Sequence, residues 1–96
     1  MRMMVTIRLP AKRANQAIKD GTLQDTIRGV LDRIKPECAY FLVENGRRTM
    51  RAVFDHKSPE DMMTAFQPAF LELEAEIDLC PVITAEELAL GFKSLS

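Results

Sequence analysis

Tryptophan is absent from this 96-residue chain, tyrosine and histidine occur once each, and there are only two cysteines. With Cys38, Cys80 and His56 as the only soft ligands and no CxxC pair, the three or four donors of a structural zinc site are missing, so no metal and no cofactor is expected. Four glycines and five prolines, scattered along the chain, leave no low-complexity linker and no repeat. No run of about 18 apolar residues is present to cross a membrane, and Thr6 and Arg8 interrupt the apolar stretch that a secretory signal needs. The chain therefore reads as a soluble cytoplasmic protein without a membrane partner. An excess of positive charge is lacking too: 13 basic residues stand against 14 acidic ones, which removes the field that nucleic-acid binding draws on. The length has room for one domain, residues 1–96.

The charge that is present is unevenly spread. Residues 1–48 hold ten basic and five acidic residues, whereas residues 49–96 hold three and nine, a basic half followed by an acidic one.

Apolar spacing gives the order of elements. Met3, Val5, Ile7 and Leu9 alternate with Met4, Thr6 and Arg8, the period of a strand, and Pro10 closes it. Over 11–34 the period becomes helical, with Leu23, Ile27, Val30, Leu31 and Ile34 on one side. Asp20-Gly21 breaks this stretch into two helices, Thr22 with Asp25 suits an N-cap for the second, and Lys35-Pro36 stops it. Residues 37–55 form two strand-like runs joined by Asn45-Gly46, the pair that best accepts the two positive φ angles of a type I′ turn. A two-residue loop fixes the register: Glu44 faces Arg47, Leu42 faces Thr49, Tyr40 faces Arg51 and Cys38 faces Val53. Ser58-Pro59-Glu60-Asp61 opens another helix, which Pro68 is expected to kink or end near Gln67. A last strand is expected over 74–82, and Thr84 with Glu87 makes a capping box for a short C-terminal helix.

Strand, helix, two strands, helix, strand is the α+β, ferredoxin-like βαββαβ order, with strands arranged 4-1-3-2 and both crossover helices on one face. That face is expected to take the rows Met3/Val5/Ile7/Leu9, Ala39/Phe41/Val43, Met50/Ala52/Phe54 and Ala75/Ile77/Leu79. The opposite face then carries Met4, Leu42, Tyr40 and Val53 as an apolar patch, with Thr6, Arg8, Arg51, Glu76 and Asp78 around it. Such a patch is of the kind monomers cover, and the simplest cover is the same face of a second copy, with Arg8 and Arg51 pairing with Glu76 and Asp78. The cysteines fall on the two outer strands, about 14 Å apart by three strand spacings. A disulfide spans Cα separations up to about 7 Å, so they are free thiols.

The segment Met-Met-Val-Thr-Ile-Arg-Leu-Pro running into a helix, and the closing Ala-Glu-Ile-Asp-Leu-Cys-Pro-Val-Ile followed by a short tail, resemble the dimeric α+β barrel superfamily. Muconolactone isomerase-like proteins and small bacterial members of unknown function are the nearest groups in it. The resemblance covers nearly the whole chain and implies a homodimer whose two sheets form a barrel with helices outside. It further implies an isomerase, a small cofactor-free monooxygenase, or a protein without chemistry. No catalytic residue of that group matches a position in this chain.

From the residues themselves, His56 is the one side chain whose ordinary pKa lies near neutrality; it is either a general base at a pocket mouth or an exposed residue before a helix cap. Tyr40 opposite Arg51, with Arg8 on the neighbouring strand, could present a phenol and guanidinium groups to an acidic small molecule; the alternative is that these arginines are spent on Glu76 and Asp78. The expected function is that of a homodimeric enzyme acting on a small hydrophobic or aromatic acid, the alternative being a non-catalytic dimeric ligand-binding or interaction protein. RNA binding on the sheet is discounted because the first and third strands offer no aromatic stacking platform there.

Overall fold

Two central strands are paired along both edges, and the rest of the chain is arranged around them. In the computed structural model, which describes residues 1–95, β1 (Arg2–Arg8) lies between β3 (Arg47–Asp55) and β4 (Glu76–Pro81), with β2 (Cys38–Glu44) at the outer edge beside β3. The order β2-β3-β1-β4 is the expected 4-1-3-2 viewed from the other side, and all three ladders are antiparallel. The hairpin pairs Glu44 with Arg47, Tyr40 with Arg51 and Cys38 with Val53, because Asn45 and Gly46 take φ values of 54° and 75° and close the loop in two residues.

Helices α1 (Ala11–Asp20), α2 (Thr22–Ile34) and α3 (Pro59–Leu73) cover one face of the sheet. Between α1 and α2 the chain turns at Gly21, whose φ of 84° suits a residue without a Cβ. The cap of α2 differs from expectation: Thr22 is already helical, and its amide donates to the Asp20 carboxylate (2.9 Å). Lys35 ends α2 in the left-handed region, ahead of Pro36. At α3 the amide of Asp61 donates to Ser58 Oγ (3.2 Å) and Pro59 takes the first helical position.

Pro68 neither ends nor breaks α3, which continues to Leu73. Pro68 and Thr64, the residue whose carbonyl loses its partner, both lie on the exposed side, where water can take the vacant bond. Ala65, Phe66, Ala69 and Leu73 are buried on the other side and hold the two halves of the helix to the sheet. Because α3 runs on, the last strand begins at Glu76 rather than 74: Glu74 is spent on a left-handed cap (φ 52°).

Val5, Ile7 and Leu73 have no solvent exposure, and Phe54 meets Phe66 edge-on with ring centroids 5.9 Å apart. Ala52 and Ala75 are buried in the same cluster, so the small residues serve close helix packing rather than an enclosed cavity. One expected core row fails beyond its first member, Ala39, which does pack against the core. Phe41 and Val43 are 64% and 72% exposed, because β2 is the edge strand and the helices do not reach over its second half. After β4, α4 (Ala85–Leu95) extends away with every residue exposed. The radius of gyration is 15.3 Å; a compact chain of this length comes to about 12 to 13 Å.

Removing a side chain from the covered face should therefore be far more harmful than from the edge. Leu73→Ala is expected to cost about 2–5 kcal/mol in urea unfolding, and Phe41→Ala under about 1 kcal/mol in the monomer.

Candidate functional site

The period-two pattern that buries Val5 and Ile7 turns Met4, Thr6 and Arg8 to the opposite, uncovered face. On β3 and β2 the same parity sends Arg51, Val53, Tyr40 and Leu42 there, and on β4 it sends Glu76 and Asp78. Cross-strand pairing then brings them together: Met4 opposes Val53, Thr6 lies between Arg51 and Asp78, and Arg8 between Thr49 and Glu76. Met4, Tyr40, Leu42, Arg51 and Val53 line a shallow hollow of about 360 Å³, with Tyr40 67% exposed at its rim.

The charges on this face satisfy one another. Arg8 donates to Asp78 and lies 3.7 Å from Glu44, Arg51 donates to both oxygens of Glu44 (2.8 and 2.9 Å), and Arg47 reaches Glu76 (3.0 Å). Within the chain, Arg8 thus meets one of its expected partners, whereas Arg51 meets neither Glu76 nor Asp78. Glu44 is nearer to Arg51 because the hairpin puts the two on adjacent strands, whereas β1 separates Arg51 from Glu76 and Asp78. Three arginines and three carboxylates from all four strands form a neutral lattice. Glu44 and Arg47 are the members that the sequence reading left off this face; continuing the same alternation by one step at each end of the turn finds them. Thr6 and Thr49, 7% and 4% exposed, are shielded beneath the lattice.

A second open surface is α4. Thr84 and Glu87 form the expected capping box, Thr84 N–H donating to Glu87 Oε1 (3.0 Å) and Glu87 N–H to Thr84 Oγ1 (3.1 Å), while Arg2 bridges Glu87 and Glu37. Leu88, Phe92 and Leu95 recur at helical spacing, are 45%, 62% and 84% exposed, and lie outside the hydrophobic core cluster.

His56 sits apart from both. It lines a cleft of about 220 Å³ where β3, the end of α2 and the start of α3 converge, with Phe54, Met62 and Phe66 inside and Arg33, Lys35 and Lys57 around the mouth. Its backbone is fixed by bonds to Met1, but its side chain has no hydrogen-bond partner among the described residues. Cys38 and Cys80 are free thiols. Among the described residues no group of three or more metal-binding side chains occurs, and no helix is long and apolar enough to cross a membrane.

No family model and no curated protein matches the chain. Solved structures that resemble it include a formyltetrahydrofolate deformylase from Pseudomonas putida KT2440, at 12% identity and a TM-score of 0.55, and the de novo designed protein Ferredog-Diesel, at 9% and 0.50. The match takes in 85% of this chain but 29% of the deformylase, so the chain spans under a third of that enzyme's length; for the design the shares are 84% and 85%. At these identities the likeness is one of fold, a small α+β domain with a four-stranded antiparallel sheet.

The Thr84 bonds, with Arg2 in addition, hold the Glu87 carboxyl below its ordinary value. Its contribution to α4 is therefore fully present above about pH 4.3, where a free glutamate titrates, and is lost as the pH falls through the lowered value. Protection of the α4 amides relative to their intrinsic exchange rate at each pH should fall in that acid range, and Glu87→Gln should remove this fall while leaving protection in β1 unchanged.

Proposed function

We propose that this chain is a homodimeric interaction protein of the dimeric α+β barrel type, in which the uncovered sheet faces of two copies pack together. The observation that carries this reading is the composition of that face: an apolar patch of Met4, Tyr40, Leu42 and Val53 bordered by arginines already neutralised by Glu44, Glu76 and Asp78. A face meant for water has little use for the patch, and one meant for an anion would keep its arginines unpaired. A neutral, half-apolar sheet suits another sheet, whose side chains interdigitate at about 10 Å spacing. The bare apolar stripe of α4 adds a second surface that a partner copy can cover, since an isolated helix of 11 residues is marginal in water.

An isomerase or cofactor-free monooxygenase acting on a small hydrophobic or aromatic acid has less behind it. It rests on the sequence resemblance and on no arrangement of nucleophile, base and orienting group.

Light scattering at micromolar concentration should return about 22 kDa, twice the 10.9 kDa of one chain. Leu42→Asp, which puts a charge in the patch, and Arg51→Glu, which sets a carboxylate beside Glu44, should both shift the population toward the single chain without loss of the fold. A well-folded wild type of 10.9 kDa at this concentration overturns the proposal.

A further inference from the structure

The cleft beside His56 joins an apolar floor to cations that no carboxylate of the described residues neutralises. Its floor is apolar: Ile34 from α2 and Met62 from α3 are half-buried there, above Phe54 from β3 and Ala65 and Phe66 from α3, which are all but fully buried. Its mouth is cationic. Arg33 and Lys35 have no ion-pair partner among the described residues, in contrast to the arginines of the open sheet face, and Lys57 joins them from the loop before α3. Two carboxylates also border the cleft. Asp55 is engaged by the Met1 ammonium at 2.9 Å, a bond that holds its carboxyl below the ordinary range. Asp61 lies in the first turn of α3, where the helix dipole offsets part of its charge. The negative end of α2 and the positive end of α3 meet at the cleft, so the helix dipoles oppose each other and the side chains set the sign, which is positive.

We infer that this cleft binds a small aromatic carboxylate, with the ring against Ile34 and Met62 and the carboxylate at Arg33 and Lys35. The space sets the size. At about 220 Å³ it exceeds the roughly 150 Å³ that holds a benzene ring in an engineered cavity, and falls short of the 300 Å³ or more typical of drug-sized ligands. A single ring bearing a short acidic arm fits between those limits. The floor rejects a fully hydrated anion such as acetate, which gains nothing from apolar contact, and the rim distinguishes an acid from a neutral ring of the same shape. His56, at the edge of the mouth with an unengaged side chain, is placed to hydrogen-bond the ligand's second oxygen. The site lies within one chain, so it stands whether or not the sheet faces associate.

The test is a titration of the isotopically labelled full chain with phenylacetate, followed by amide chemical shifts, beside acetate and 2-phenylethanol. Phenylacetate should move the amides of Ile34, Lys35, His56, Ala65 and Phe66. 2-Phenylethanol, the same ring with a neutral arm, should bind at least about tenfold more weakly, and acetate should leave these amides in place. The double variant Arg33→Glu/Lys35→Glu changes two exposed side chains and should weaken phenylacetate by about tenfold or more with the spectrum otherwise preserved. The comparison between acid and alcohol needs no variant and so is immune to a folding defect. The inference is overturned if phenylacetate up to about 10 mM moves none of these amides, if the alcohol binds as tightly as the acid, or if the shifts fall on the open sheet face instead.

Discussion

Everything in this fold hangs on β1 being hydrogen-bonded along both edges while only one side of it is covered. Val5 and Ile7 are sealed under the helices, and Met4, Thr6 and Arg8, one step out of phase, are delivered to the other side in fixed register with β3 and β4. A strand cannot bury one set of alternating side chains without presenting the other. The core and the exposed face are therefore two outcomes of one constraint, and sliding β1 by a residue would exchange them.

Three helices cannot cover four strands evenly, and the places where cover runs out are the places with chemical character. At the β2 edge, Phe41 and Val43 are left bare beyond the reach of α2. At the opposite end of the sheet, the end of α2 and the start of α3 diverge enough to leave a cleft over the edge-on pair Phe54 and Phe66. The uncovered sheet face and the cleft are thus on different sides of the molecule and differ in electrostatics: one has its charges paired internally, the other retains unpaired cations.

Much of this was legible in the residues, and the limits have physical causes. The Asn45-Gly46 turn set the register of the hairpin, and the alternation of β1 and β4 put Arg8, Glu76 and Asp78 on one face, because a two-residue loop and a period of two leave little freedom. Several features were not legible. Pro68 reads locally as a helix breaker, and only burial on both sides of it, a property of the tertiary structure, keeps α3 intact. Phe41 and Val43 read as core because alternation reports which face a side chain takes, but not whether a helix reaches far enough to cover it. Arg51 was matched to Glu76 and Asp78 by parity alone, when proximity across adjacent strands favoured Glu44. For His56 the residues left two readings open, a pocket mouth or an exposed position before a helix cap; the Arg33 and Lys35 beside it were not foreseen, since they come from the far end of α2 and meet it only in the folded chain.

The self-cancelling lattice on the open face also bears on rate. A surface whose arginines are matched by carboxylates a few ångströms away projects little field beyond its own contacts, because screening at physiological salt sets in at about 8 Å. Whatever meets this face is not drawn to it from a distance. Capture proceeds at the unsteered pace of about 10⁵–10⁶ M⁻¹s⁻¹ and varies little with ionic strength, so that lifetime in contact, rather than speed of encounter, decides which partner is retained.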